Sequence, residues 1–123
     1  MRILLPVLMI LAFMAAPTLA QPPGDGPIVF VEGVDDLPLM PGLSPVADGT
    51  LIFDKPGGRI VSALAMGPVD TQDVTAFYAN TLPQLGWTAR GSEGYVREDE
   101  RLVLDYIPVS SGLLMIQFRI TPR

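Results

Sequence analysis

The chain contains no cysteine and no histidine. Without cysteine it can form no disulfide, the staple on which many small exported domains depend. Without either residue, cysteine–histidine nucleophiles, histidine-based triads, thiolate or imidazole zinc sites and haem ligation lose their usual groups. Any catalysis would have to run on carboxylates, hydroxyls, lysine, arginine or tyrosine alone. Charge is also scarce, at 17% of residues, and its balance is acidic, with a net charge of −5. Such a chain offers no basic field to nucleic acid or to anionic lipid.

What the chain does have begins at its N-terminus. Arg2 is followed by an apolar run from Ile3 to Ala16, broken only by Pro6, and then by Pro17 and Thr18-Leu19-Ala20. A cation, an apolar stretch and a small-residue stop form the order of a cleavable secretory signal. The run is shorter than the roughly twenty residues a spanning helix needs. Residues 1–20 are therefore expected to be removed, leaving Gln21 first and no stable membrane span. The remainder is long enough for one domain.

Residues 21–49 read as a Pro/Gly-rich extended arm. They hold Pro22, Pro23, Pro27, Pro38, Pro41 and Pro45. Each proline removes a backbone donor and restricts its predecessor, which disfavours a long helix or a central strand. Ile28-Val29-Phe30-Val31 could form a short edge strand. Leu37, Leu39, Met40 and Leu43 are costly to expose, so they are expected to dock on the domain's open sheet face or on another envelope protein.

Residues 50–123 read as a single α+β domain. Leu51-Ile52-Phe53-Asp54 and Arg59–Ala65 flank a turn at Lys55-Pro56-Gly57-Gly58, where Pro suits the first corner and Gly a positive φ at the second. Ile60, Leu64 and Met66 face one way on the return strand, and small Val61, Ala63 and Ala65 the other. A helix follows. Asp70 can cap it and Asp73 complements its dipole. Val74, Phe77, Tyr78, Leu82 and Leu85 make one apolar face. Pro83 ends or distorts the last turn, Gly86 is the expected left-handed stop, and Trp87 folds back over it.

Three strands are expected to complete the chain: Trp87–Arg90 leads to a turn cluster at Gly91-Ser92-Glu93-Gly94, beyond which Tyr95–Arg97 can pair with it; Arg101–Ile107 alternates; and Leu113–Ile120 is the longest, with Pro108–Gly112 as a loop. On the last strand Leu114, Ile116, Phe118 and Ile120 point inward. The reading is thus an α+β fold: an antiparallel sheet of about four to five strands, one amphipathic helix on one face, in the order ββαβββ.

No catalytic, cofactor-binding or metal-ligating set stands out. Asp35-Asp36 and Glu98-Asp99-Glu100 lack calcium-loop spacing. The Lys55–Arg59 turn leads into a strand, whereas phosphate loops lead into helices. Asp105, alone in an apolar strand, can pair with Arg119 across strands. Ser110-Ser111 has no evident base.

The string Val74-Thr75-Ala76-Phe77-Tyr78-Ala79-Asn80-Thr81-Leu82-Pro83-Gln84-Leu85-Gly86-Trp87 resembles the V-x-x-F-Y-x-x-x-L-x-x-x-G-W helix-to-strand motif of small exported bacterial proteins of unknown function. The resemblance spans roughly residues 50–120. It implies a strand before the helix, a meander after it, and a bacterial, exported origin, periplasmic or secreted. It carries no catalytic residue. Together these features lead to an expectation of a small non-enzymatic envelope accessory or binding module. Two alternatives are a carrier or small enzyme with an apolar pocket between helix and sheet, and a subunit of an envelope or secretion assembly.

Overall fold

A computed structural model describes residues 28–91 and 94–123. The expected signal segment 1–20 and the start of the arm, 21–27, lie outside the described residues. The fold is α+β. Strands β1 (Ser44–Pro45), β2 (Leu51–Lys55) and β3 (Gly58–Gly67) precede helix α1 (Thr71–Thr81) and a 3₁₀ turn (Leu82–Leu85). Strands β4 (Thr88–Ala89), β5 (Tyr95–Arg97), β6 (Glu100–Ser110) and β7 (Leu113–Pro122) follow. All pairings are antiparallel, in the order β1-β3-β7-β6-β5-β4, and β2 shares the outer edge of β3 with β1.

Among the described residues the sheet therefore has seven strands, not four or five, and the order is βββαββββ. β1 is only two residues long, too short to show an alternating pattern, and the strand expected at Trp87–Arg90 shrinks to the two residues of β4. Two further local expectations are corrected. β6 continues to Ser110 through an irregularity between Pro108 and Ser110, so the loop expected there shrinks to a tight turn. In the first hairpin the positive φ falls on Gly58, at 134°, and not on Gly57.

The helix forms where its local signals lie. The Asp70 side chain accepts from the Gln72 amide at 3.2 Å, satisfying one exposed donor of the first turn. Pro83 falls in the 3₁₀ turn, just past the last α-helical residue. Gly86 then adopts the left-handed conformation at φ 90°, and the Trp87 amide donates back to the Leu82 carbonyl. That closure satisfies a carbonyl the helix would otherwise leave free.

The core lies between α1 and one face of the sheet. Val61, Ala63 and Ala65 of β3 are buried there with Leu114, Ile116, Phe118 and Ile120 of β7 and Leu102 of β6. Small residues of β3 thus form the floor, while Ile60, Leu64 and Met66 are half-buried on the opposite face.

The arm shares this core. Val31, Val34, Leu37, Leu39 and Leu43 are all buried in the same cluster. These apolar residues of the arm therefore lie on the helix side, and among the described residues none of the arm's buried side chains covers the opposite, open face, against the expectation that they dock there. The reason is coverage. An eleven-residue helix is about 16 Å long, whereas ten-residue strands such as β3 and β7 run about 33 Å. The helix cannot cover the sheet, and the arm fills what remains, with Val31 and Leu39 over Ala63, Ala65 and Phe118.

Ile28–Val31 does not join the sheet as an edge strand. The arm pairs with itself: Val31 N donates to Leu37 O at 2.8 Å and Leu39 N to Val29 O at 2.7 Å, with an isolated bridge between Phe30 and Pro38. Gly33, at φ 85°, sits in the turn between the two halves. Self-pairing gives these backbone groups partners without access to a sheet edge.

Candidate functional site

Two side chains, Tyr78 of α1 and Arg97 of β5, hold the arm through hydrogen bonds. The Tyr78 hydroxyl donates to Pro38 O at 2.9 Å and accepts from Met40 N at 3.1 Å. Arg97 Nη1 donates to Asp36 Oδ2 at 2.6 Å and to Leu85 O at 3.1 Å, and its guanidinium lies 4.4 Å from the centre of the Trp87 ring. Cation–π geometry of this kind favours a delocalised cation over an indole face. Burial pushes the Tyr78 phenol well above its ordinary range; the Met40 amide opposes this and nearby Tyr106 adds to it. Burial, aided by Tyr106, also raises the Tyr95 phenol.

The residues expected to carry the helix–sheet contact converge. Val74, Tyr78, Leu82 and Trp87 are buried, and Phe77 and Leu85 pack partly buried against them. Phe77 meets Tyr78 edge-on at 4.9 Å, and Tyr78 meets Phe118 likewise at 5.5 Å. Of the arm's apolar residues, Leu37, Leu39 and Leu43 are buried against this chain's own core, and Met40 is half-buried.

One carboxylate of each acidic run lies in an arginine contact. Asp36 pairs with Arg97, and Glu100 with Arg59 at 3.4 Å and with Arg97 at 4.0 Å. Among the described residues no group of three or more carboxylates is gathered as a metal cage. Asp105 pairs with Arg119 at 2.8 Å on the open face, both side chains well exposed. Ser110 and Ser111 are exposed at the β6–β7 turn. The sequence reading missed Arg97 as a fastener and Tyr106, whose hydroxyl lies 3.0 Å from Thr75 Oγ1; both contacts are long-range, so no local pattern marks them.

Two mostly apolar spaces adjoin α1 beyond its first turn. One, about 260 Å³, lies between helix and sheet and is lined by Thr75, Tyr78, Tyr95, Leu104 and Tyr106 among others. The other, about 450 Å³, lies between helix and arm. Its walls include Val29, Leu39, Met40 and Leu43 from the arm and Phe77 and Thr81 from the helix, with Ile28 at its rim; none of its described lining residues is charged. Ile28 is 72% exposed and Val29 49%. Ligand sites usually offer roughly 300–1,000 Å³ with mostly apolar walls; the arm–helix groove meets both conditions, whereas two more open clefts, about 550 Å³ beside Asp70 and Asp73 and about 510 Å³ beside Arg59 and Glu100, have charged residues in their walls. Among the described residues no helix is long and apolar enough to cross a membrane.

Comparison of the chain with protein-family models, with curated proteins and with solved structures finds no match.

Proposed function

We propose that this chain is an exported, non-enzymatic binding module that holds an apolar segment of another envelope protein in the groove between its arm and helix. The observation that carries this reading is the uncharged groove of about 450 Å³ with an exposed apolar rim. A contiguous apolar patch of this kind is costly to leave in water and is a common mark of a docking site. Export rests on the Arg2, Ile3–Ala16 and Thr18-Leu19-Ala20 pattern, and on the helix-to-strand motif that resembles small exported bacterial proteins. The lack of histidine and cysteine, with Asp36, Glu100 and Asp105 drawn into arginine pairs, supports a role without catalysis. A carrier or enzyme using the space between helix and sheet has less support, because about 260 Å³ falls short of the usual range.

The test is site-specific photo-crosslinking in living cells. A photoreactive side chain at Thr81, on the groove, should give one discrete adduct with an envelope protein. The same group at Val109, exposed on β6, should give none. No adduct from Thr81, or the same adduct from both sites, would overturn the reading. Mass analysis of the accumulated protein should find Gln21 at its N-terminus, and intact Met1 would refute cleavage.

A further inference from the structure

We propose that the outer edge of β2 pairs with the same edge of a second copy, joining two sheets across a two-fold axis. This goes beyond the binding role above and uses a different surface. All five residues of β2 are exposed. Leu51, Ile52 and Phe53 are 59%, 52% and 57% exposed. By register, Leu51 and Phe53 lie opposite Ser62 and Ile60 on the open face, and Ile52 lies opposite Val61 on the helix face. One side of β2 is bonded to β3, and among the described residues no strand pairs with the other. Unpaired edges are normally guarded by charge, proline or a bulge. Here Asp54, Lys55 and Pro56 guard only the turn end, and the first three residues present apolar side chains on both faces of a free backbone edge.

The strand's own chemistry selects a second copy. Asp54 and Lys55 cancel, so two chains of net charge −5 can meet through a neutral edge. With Phe53 on the axis, all five residues pair: Phe53 with Phe53, Ile52 with Asp54, and Leu51 with Lys55. Centring on Asp54 would set like charges opposite each other, which is destabilising. Centring on Ile52 would pair only Leu51 to Phe53 and leave both charged positions outside the ladder. A contact built from one short strand is smaller than the roughly 1,200 Å² of a standard interface, so the dimer is reversible and concentration-dependent.

Because the chain lacks cysteine, one introduced thiol reports the register directly. Residues facing each other across antiparallel strands have Cα atoms about 4.5–5.5 Å apart, within disulfide reach. Phe53→Cys should therefore cross-link to itself under copper–phenanthroline in the full chain, purified in the form cells accumulate. Leu51→Cys, displaced from its own copy by about 13 Å, should cross-link at least about tenfold more slowly. Sedimentation should show a monomer–dimer equilibrium that Phe53→Lys abolishes and Ile107→Lys, exposed on β6, leaves intact. Trp87 fluorescence verifies that each variant is folded. A wild-type monomer at millimolar concentration, equal cross-linking at positions 51 and 53, or a disulfide from Phe53→Cys to another protein only, would overturn the proposal.

Discussion

The Tyr78 hydroxyl donates to the carbonyl of Pro38 at 2.9 Å, tying the helix to a residue forty positions earlier in the chain. The same oxygen accepts from the Met40 amide, so one phenol satisfies two arm backbone groups. Tyr78→Phe leaves both without that partner, at an expected cost of about 1–3 kcal/mol. Urea unfolding measures the loss. Hydrogen exchange should quicken at Val31, Leu37 and Leu39, whose amides hold the arm's own pairing, before it quickens in β7.

Tyr78 also predicts a pH dependence. Its folded-state pKa is raised above the ordinary value of 10.0, so above about pH 10 the unfolded chain gives up a proton that the folded chain keeps. Stability is then full below pH 10 and falls as pH rises, by about 1.4 kcal/mol per pH unit for one such group. Stability curves from pH 8 to 11 should show the decline. Tyr78→Phe should reduce the slope while lowering the plateau.

Trp87 is 2% exposed and packed beneath Arg97. Trp87→Ala removes a large buried ring and leaves a cavity, so a cost of about 3–5 kcal/mol is expected. Denaturant unfolding checks it, and a loss below about 1 kcal/mol would contradict the buried position.

Two glycines should respond in opposite ways to alanine. A Cβ on Gly67 would collide with the Gly42 carbonyl where the arm crosses the end of β3. Gly67→Ala is expected to destabilise by about 1–3 kcal/mol. Gly57 has open space and no positive φ, so Gly57→Ala should be neutral or stabilise by up to about 1 kcal/mol. Thermal unfolding of the two variants side by side tests the arm's close approach.

Asp105→Asn breaks the Asp105–Arg119 pair, whose side chains are 40% and 47% exposed. Exposed pairs contribute little, so stability should change by less than about 1 kcal/mol. A larger loss, measured by urea unfolding, would mean the open face is covered.

Much of α1 was legible because its signals are local. Asp70 caps a turn two residues away, Pro83 and Gly86 act on their own backbone, and Val74, Phe77, Tyr78 and Leu82 recur at the helical period. The alternation in β7 likewise identified Leu114, Ile116, Phe118 and Ile120 as inward. In the candidate groove, Leu39, Met40 and Leu43 were visible as apolar residues that need cover, but nothing nearby says what covers them.

Local sequence was enough for the helix, its ends and the inward face of the last strand, because these follow from neighbours within a turn or a pleat. Tertiary structure decided the rest. β3 turned its small residues inward because the arm and helix had to fit over one sheet face. The arm settled beside the helix because eleven helical residues cannot cover strands of ten. Arg97 became the fastener for Asp36 and Trp87 only when β5 came alongside the helix end. Each of these choices depends on area and distance between segments far apart in the chain, which propensity and periodicity do not carry.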